Sequence, residues 1–394
     1  MKIVVITDCI HYSNEAGISN KNPILTKQFE ALLANFEEVS LVAPILKRND
    51  NVDNFTHYSS SIKEKTNFYS CPPVGGNNFI DKLKIVWVIP KWLKLFWQLK
   101  NNDLYYLRFP NNLNIISFLF YFILKKKIII TYTGTWENYK YEPWTYKLQK
   151  IFIKYLHVGP AFVYSLSNSN LPKNIFSSYS PSFSNLDCYL QEFTIKQKVQ
   201  NIDNFKLDTL EFVSVGSVVE YKNQLLAIKV IEYLSTNGLS VRLRIVGEDK
   251  GEYFNYLKKV VHEKALSNLV FFEGFKSGKE LDNILKGSHF LVHTPKIEGY
   301  GKTPQEALFY GLIPILSDFP FAPFFVGNQN ERGFLIDDSN YSNGKLLIWI
   351  KAIINSPENW KEMIESSFEF SKKLTIDIWV ESYVKEINKL KIES

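Results

Sequence analysis

The sequence has few cysteines and histidines, and neither residue type is spaced as a metal site would require. Cys9, Cys71 and Cys188 are odd in number and form no C-x-x-C motif. This pattern excludes a disulfide framework and a cysteine zinc site, and it favours a reducing compartment. The six histidines form no cluster with aspartates, and no D-x-D motif occurs. The sequence therefore implies neither a metal nor a cofactor.

Long apolar runs are also missing. The first run, residues 1–7, is short and ends at Asp8. It therefore predicts a buried strand rather than a signal peptide. The longest run, residues 113–124, stops at three lysines, short of the roughly 18 uncharged apolar residues that span a bilayer. We expect a cytoplasmic protein.

Basic charge is concentrated in the first half of the chain. Residues 1–190 hold 21 basic and 13 acidic side chains, whereas the remainder holds 25 and 27. Residues 82–154 alone hold 13 basic and 3 acidic side chains. A basic first half beside a nearly neutral second half indicates an anionic surface or substrate that only the first half meets.

Apolar runs alternate with helical patterns through both halves. This alternation predicts α/β architecture, with parallel sheets covered by helices. The predicted divisions are an N-terminal Rossmann-like domain at 1–190, a polar linker at 191–208, a second Rossmann-like domain at 209–373 and an amphipathic helix at 374–394. The strand near residues 163–165 is predicted to be the last of the first domain.

The most informative segment begins at Glu298 and reads EGYGKTPQEALFYGLIPI. Two carboxylates, Glu298 and Glu306, flank a loop with two glycines that opens a helix. Exposed N–H groups at a helix N-terminus bind anions, and carboxylates accept hydrogen bonds from sugar hydroxyls. This corner is suited to a sugar phosphate with a second sugar close by.

The segment resembles the E-x7-E motif of the retaining glycosyltransferases of family 4, which have the GT-B fold. That fold has two Rossmann-like domains facing across a cleft and a C-terminal helix that crosses back to the first domain. The resemblance implies a UDP- or GDP-sugar donor, with Glu306 on the ribose hydroxyls and Glu298 near the donor sugar. The backbone groups implied at the diphosphate and sugar belong to Gly299, Tyr300, Gly301, Lys302 and Thr303. The alternative is an unrelated Rossmann-like loop with two surface acids.

A second part of the implied donor site follows the strand that ends at Gly216. Lys222 and Asn223 match the family's K-[GN] pair, and the lysine would neutralise the donor diphosphate. Ser217 stands where the family usually has arginine. We expect Lys302 or Arg332 to supply the missing charge, unless the contact is weaker here. Lys222 and Glu298 are the predicted catalytic residues, and the alternative for Lys222 is a solvated lysine at a helix start.

The nucleobase is expected beside two further strand ends. The resemblance places Gly247 and Phe275 there, after residues 242–246 and 269–272. A glycine after a strand is also a common turn residue.

The first domain is expected to hold the acceptor. Only Gly17, in the polar loop at 11–23, matches the family's glycine pair near the donor phosphate. Thr133 stands roughly where the family often has a catalytic histidine, and Trp136 follows it. Arg108 is a candidate for an anionic group, with a surface ion pair as the alternative.

A stretch at 82–100 combines tryptophan with lysine, as segments at an anionic bilayer surface do. The candidates for membrane contact are Trp87, Lys91, Trp92, Lys94 and Trp97. Pro90 is expected to interrupt the helix, and a buried helix is the alternative. We expect no nucleic-acid partner, because no recognised module is present. His11, His157 and His293 are scattered and are expected to be structural.

These features predict transfer of a sugar from a nucleoside-diphosphate sugar to a hydroxyl of a glycan or lipid-linked glycan. The resemblance implies retention of configuration, no metal, and a setting in bacterial capsule, O-antigen or other surface-polysaccharide assembly. The protein would be cytoplasmic, with peripheral contact to the inner face of the membrane. Two alternatives stay open: a GT-B relative with other chemistry, such as an epimerase or phosphorylase, and a degenerate module that binds without turnover.

Overall fold

The computed structural model describes residues 1–15, 17–47, 55–73, 79–138, 142–165, 171–203, 209–248 and 251–392. The chain forms two compact units. The first contains Met1–Pro181 together with Ile376–Ser394, and the second contains Ser182–Thr375. Within the described part, no helix combines the length and apolarity that a membrane span requires.

The first unit is built from strands and helices that alternate along the chain. Its elements in chain order are β1 Lys2–Ile6, β2 His11–Asn14, β3 Gly17–Asn20, α1 Pro23–Leu33, β4 Glu38–Ala43, β5 Ile45–Lys47, β6 Thr56–His57, α2 Ser60–Glu64, β7 Thr66–Ser70, α3 Phe79–Gln98, β8 Leu104–Phe109, α4 Asn112–Ile123, β9 Ile128–Thr135, α5 Trp144–Tyr155, β10 Ala161–Tyr164 and β11 Ile175–Ser178. Seven strands form one parallel sheet in the order β11-β10-β9-β8-β1-β4-β7. A smaller sheet of four strands has the order β5-β2-β3-β6. The central strands are apolar on both faces because helices cover parallel sheets from both sides.

The second unit repeats the pattern. Its elements are α6 Asn185–Asp203, β12 Leu210–Val215, α7 Gln224–Thr236, β13 Val241–Val246, α8 Glu252–Glu263, β14 Val270–Gly274, α9 Gly278–Lys286, β15 Phe290–His293, α10 Lys302–Phe309, β16 Ile313–Ser317, α11 Ala322–Val326, β17 Phe334–Ile336, α12 Lys345–Ile354 and α13 Pro357–Lys372. Six strands form a parallel sheet in the order β14-β13-β12-β15-β16-β17. The order reverses between β12 and β15, and open α/β sheets bind ligands at such a switch point, outside the carboxyl ends of the strands.

The last helix, α14 (Ile376–Ile392), packs in the first unit. The Tyr383 ring stacks on Phe162 at 3.6 Å between centroids, and its hydroxyl lies 2.8 Å from Oγ1 of Thr131. Trp379 and Ile387 are buried in the same core cluster. The C-terminal helix therefore belongs to the first unit, as the expected GT-B fold requires.

Three local predictions differ from the structure. The predicted linker at 191–208 is helical through Asp203, because α6 packs on α13 of the second unit; residues 204–208 lie outside the described part. The strand β10 is followed by β11, which pairs with it and ends the sheet. The predicted loop at 11–23 contains the β2–β3 hairpin.

The tryptophan-rich helix α3 is continuous through Pro90. Trp92 is 1% exposed and lies in the core, so it is removed from the predicted membrane surface. A spacing of five residues turns the helix by about 140° beyond a full turn, so successive tryptophans point in different directions. Trp87 is 82% exposed and Trp97 is 56% exposed, which leaves these two on the outside of the helix.

Candidate functional site

Three strand ends of the second unit meet at glycines. The N–H of Gly216 donates to the carbonyl of Val246, and the N–H of Gly247 donates to the carbonyl of Gly274, each at 2.9 Å. A Cβ on Gly247 would lie 1.9 Å from the carbonyl oxygen of Gly216, so only glycine permits this approach. Gly216 itself has a φ of 145° and faces open space. The result is a floor of bare backbone at the carboxyl edge of the sheet.

Lys222 ends a short 3-10 turn, Glu220–Lys222, that follows β12 and Gly216 in the chain. Asn223 follows in the left-handed region with φ of 52°, and its carbonyl accepts a 3.0 Å hydrogen bond from Oγ1 of Thr294. The turn is thereby tied to the segment that follows β15. This tie brings the Lys222 ammonium within 2.6 Å of Oε2 of Glu298. The Lys222 side chain is 21% exposed and that of Glu298 is 17% exposed.

His293 completes the cluster. Its Nε2 lies 3.2 Å from the same oxygen of Glu298. Burial lowers the pKa of His293 below its ordinary value, although Glu298 opposes this shift. The imidazole is therefore neutral at pH 7, and it donates a hydrogen bond to Glu298 without carrying a positive charge. His293 was expected to be structural, and its place at the end of β15, five residues before Glu298, is the signal that was missed.

The Glu298 carboxylate is held ionised. Burial would raise its pKa, but His293 and Lys222 outweigh burial and lower the pKa to about 2. Because His293 is neutral at pH 7, the charge that stabilises the carboxylate there comes from Lys222. Glu298 is thus a fixed hydrogen-bond acceptor at all physiological pH values.

The loop after Glu298 delivers the backbone to helix α10. Gly301 has φ of 88°, and a Cβ there would lie 3.0 Å from the Phe319 ring. Tyr300 is buried against Phe321 and Phe325, so its side chain packs and its backbone alone can meet a ligand. Helix α10 has no side-chain cap within the described part of the chain. Uncapped N–H groups at a helix N-terminus attract anions.

Helix α10 starts at Lys302 and Thr303 and carries Glu306 one turn further on. Oγ of Ser182 donates a 3.1 Å hydrogen bond to Oε1 of Glu306. Burial raises the pKa of Glu306, while Lys302 and Ser182 oppose the rise. Ser182 was not anticipated, because nothing in the local sequence pairs it with a residue 124 positions away.

The remaining predicted donor residues divide into exposed and committed groups. Ser217 is exposed, and its carbonyl accepts from Nε2 of Gln224 at 2.9 Å. Phe275 is 64% exposed just after β14, so its ring is accessible to a stacking partner. Arg332 does not supply the missing arginine charge. It is buried, donates to the carbonyls of Phe324 and Phe325, and pairs with Glu331 at 2.9 Å.

Three candidates of the first unit, Arg108, Thr133 and Trp136, lie near the ends of the paired strands β8 and β9. Nη1 of Arg108 is 3.2 Å from Sγ of Cys9. Burial raises the pKa of Asp8, and the positive charge of Arg108 opposes that rise. Oγ1 of Thr133 donates to the carbonyl of Phe109 at 3.0 Å. Trp136 packs edge-on against Tyr132. Gly17, with φ of 108°, begins β3 of the hairpin.

Comparison with known proteins finds relatives that match part of the chain. Residues 195–369 match the model of the family described as glycosyl transferases group 1. A poly(glycerol-phosphate) alpha-glucosyltransferase of Bacillus subtilis is 21% identical over 187 residues, 48% of this chain and 27% of that protein. A GDP-mannose:cellobiosyl-diphosphopolyprenol alpha-mannosyltransferase of Xanthomonas oryzae is 31% identical over 97 residues, 24% of this chain and 25% of that protein. The chain thus spans about a quarter of the length of these curated relatives.

Solved structures are similar over the whole chain. A glycosyltransferase from Rickettsia africae has a TM-score of 0.69 at 13% identity, covering 100% of this chain and 99% of that one. Anabaena HepE in complex with UDP and glucose has a TM-score of 0.67 at 13% identity, covering 99% of each chain. At such low identity these likenesses establish the fold. The chain has the two-domain GT-B fold, and its residues 195–369 match the glycosyl transferases group 1 family.

Proposed function

We propose that the protein is a retaining glycosyltransferase of family 4. It transfers a sugar from a UDP- or GDP-sugar to a hydroxyl of a glycan or lipid-linked glycan, in bacterial surface-polysaccharide assembly. The observation that carries the proposal is the 2.6 Å contact between Lys222 and Glu298, set at the carboxyl edge of a parallel sheet beside an uncapped helix. A cation, a carboxylate acceptor and the backbone donors of an uncapped helix are the groups that binding of a sugar nucleotide requires, and their proximity supports the proposal.

Each part of a donor has a suitable group. The Lys222 ammonium has three donors, so it can keep Glu298 and also hold a phosphate oxygen. The N–H groups of Lys302 and Thr303, in the first turn of α10, donate to the same negatively charged diphosphate. Glu298 accepts hydrogen bonds from the donor sugar, Glu306 accepts them from the ribose, and the bare backbone at Gly247 lies beside the base.

The proposed reaction breaks the bond between the anomeric carbon and the diphosphate and forms a bond to the acceptor oxygen on the same face. The acceptor proton passes to the departing phosphate oxygen. The transition state is oxocarbenium-like, as glycosyl chemistry generally is. The protein positions the reactants and stabilises the leaving charge, mainly through Lys222 and the loop amides. No protein nucleophile and no metal are assigned a role.

Serine at position 217 removes one charge-assisted contact of the kind worth about 1.5–3 kcal/mol. Arg332 is buried and paired with Glu331, whereas Lys302 begins helix α10, directly after the loop that follows Glu298. We assign to Lys302 the part of the leaving-group charge that Ser217 cannot meet.

Two relatives support an anionic, polymer- or lipid-linked acceptor by their names. One acts on poly(glycerol-phosphate) and the other on cellobiosyl-diphosphopolyprenol. We place the acceptor at the first unit, near Arg108, Thr133 and Trp136. Peripheral contact with an anionic membrane would use Trp87 and Trp97 with Lys91 and Lys94, which are exposed on α3.

The test is a panel of UDP-, GDP- and ADP-sugars, followed by thermal stabilisation and by slow donor hydrolysis without acceptor. One nucleotide class is expected to raise the Tm, with the rise lost in Glu306→Ala. Glu365→Ala, which removes an exposed carboxylate of α13 in the same unit, is the matched control. Binding that survives Glu306→Ala contradicts the site. Binding without any hydrolysis or transfer favours a degenerate module.

A further inference from the structure

A cavity of about 440 Å³ lies on the first unit beside helix α5. Its volume falls within the range of about 300–1,000 Å³ that is typical of small-molecule sites. One wall is formed by residues 136–138, directly after β9, and the other by a face of α5. The lining residues are Trp136, Glu137, Asn138, Lys147, Lys150, Ile151, Lys154 and Tyr155. The proposed donor chemistry lies in the second unit and makes no use of this cavity.

The two walls are fixed to each other by a buried ion pair. Lys150 pairs with Glu142, whose side chain has no exposed surface, and Nζ of Lys150 donates a 3.2 Å hydrogen bond to the carbonyl of Glu137. Oε1 of Glu137 accepts a 2.8 Å hydrogen bond from Oγ of Ser165. Glu137 and helix α5 are thus held together before any ligand binds, and a preformed pocket spends less free energy on ordering.

Lys150 is neutralised by Glu142, but the two other lysines of the pocket are not. Lys147 and Lys154 are exposed, and within the described part of the chain neither forms an ion pair. They lie seven residues apart on one face of α5, about 10 Å along the helix axis. The lining of the pocket therefore includes two lysine charges that no described ion pair neutralises.

The surface between these charges suits a sugar. Trp136 and Tyr155 offer aromatic faces, and Nζ of Lys154 lies 5.3 Å from the Tyr155 ring centre. Oε2 of Glu137 is buried without a hydrogen-bond partner among the described residues. A buried acceptor left without a partner is costly, and a ligand hydroxyl can supply the missing donor.

We propose that this pocket binds an anionic sugar of the acceptor, a residue bearing a phosphate or carboxylate group. Lys147 and Lys154 hold the charge, the aromatic faces of Trp136 and Tyr155 contact the ring, and Glu137 accepts from a hydroxyl. The inference rests on the proposed function, because the sugar is the acceptor's. It adds that the acceptor is selected for negative charge at a place on the first unit alone.

The same lysines could bind the phosphate of a lipid headgroup, so the test separates the two sources. Binding of glucose 6-phosphate, glucose and inorganic phosphate to the full chain is measured by ligand-observed NMR. Parallel sedimentation uses vesicles of anionic phospholipid. We expect glucose 6-phosphate to bind at least tenfold more tightly than either glucose or phosphate.

The variant Lys147→Gln with Lys154→Gln is expected to weaken glucose 6-phosphate binding tenfold or more. Lys125→Gln with Lys173→Gln removes two exposed lysines elsewhere in the same unit and is expected to change nothing. Tyr155→Ala, at an exposed position, is expected to weaken the phosphosugar and leave inorganic phosphate unchanged. Lys222→Met is expected to bind glucose 6-phosphate as the unaltered chain does.

Three results would overturn the inference. The first is an equal loss of glucose 6-phosphate binding in the two double lysine variants. The second is glucose 6-phosphate binding that is unchanged by Lys147→Gln with Lys154→Gln. The third is vesicle binding that requires Lys147 and Lys154 in a protein that does not bind glucose 6-phosphate. Thermal stabilisation by nucleotide sugars is read in the same variants. If it persists when phosphosugar binding is absent, the pocket is wrong and the donor site stands. If phosphosugar binds but no nucleotide sugar does, the donor assignment fails instead.

Discussion

The Lys222 ammonium lies 2.6 Å from Oε2 of Glu298, although 76 residues separate them in the chain. The turn that carries Lys222 is tied to the end of β15 through Asn223 and Thr294. Both side chains are largely shielded from water, so each charge is stabilised mainly by its partner. This pair joins the two halves of the candidate donor site, one after β12 and one after β15.

Lys222→Met is expected to lower the free energy of unfolding by about 1–3 kcal/mol, because it leaves a largely buried carboxylate without its lysine partner. The pKa of Glu298 should rise from about 2 towards its ordinary value. Denaturant unfolding and carboxyl NMR titration measure the two effects. Lys229→Met, at a lysine paired to Asp338 on a more exposed surface, should change stability by less than about 1 kcal/mol. Equal losses in both variants would contradict the role of the pair.

Gly247→Ala is expected to destabilise the second unit by more than about 2 kcal/mol, since the new Cβ would lie 1.9 Å from a backbone oxygen that cannot rotate away. The strand end must shift, so nucleotide-sugar binding should weaken as well. Gly287→Ala is the control, because Gly287 has helical φ and its nearest atom lies at 3.4 Å. Thermal unfolding of both variants decides the matter, and an unperturbed Gly247→Ala would show that the floor tolerates a side chain.

Glu306→Gln is expected to stabilise the fold at pH 7, by about 1 kcal/mol, while weakening nucleotide-sugar binding. Burial raises the pKa of Glu306, so the folded state binds this proton more tightly than the unfolded state does. The ionised form therefore costs stability at pH 7. That cost disappears as the pH falls below the ordinary carboxyl range. The gain over the unaltered chain should shrink accordingly when Tm is followed from pH 7 to pH 4. A lower Tm for Glu306→Gln at pH 7 would contradict this account.

Lys198 gives a second pH dependence. Its ammonium donates to the carbonyls of Ser288 and Tyr310 at 2.7 and 3.1 Å, and burial lowers its pKa to about 7. Between pH 7 and the unfolded value of 10.5, the unfolded state binds more protons, so stability rises with pH. The slope cannot exceed about 1.4 kcal/mol per pH unit. Lys198→Met should flatten this rise in denaturant unfolding between pH 7 and 9. Lys196→Met, at an exposed neighbour on α6, should keep it.

Local pattern was sufficient for most of the parallel strands. Each central strand is a short apolar run, as in β12 and β15, and an α-helix follows each of these two after a loop. The motif at Glu298–Glu306 was equally legible, because its glycines, proline and carboxylates lie together in the chain. Edge strand β11 was missed because half of its side chains are polar and it is stabilised by pairing with β10 alone.

Long-range packing decided what local sequence could not. The apolar residues of helix α6 are scattered among polar ones and form no single apolar face, so its local sequence does not predict a helix. Its packing on α13 determines which side chains are buried. Packing against the rest of the first unit likewise buries Trp92, whereas Trp87 of the same lysine-rich helix is exposed.

The sequence by itself determined the alternation of strands and helices, the two carboxylates and the lysine of the candidate donor site. These depend on neighbouring residues and on backbone geometry that a glycine or proline dictates locally. Only the tertiary structure decided that His293 and Ser182 contact those carboxylates, that Arg332 is committed elsewhere, and that α5 and residues 136–138 line a pocket. Such contacts join residues distant in the chain, and they form only when buried surfaces from separate elements pack together.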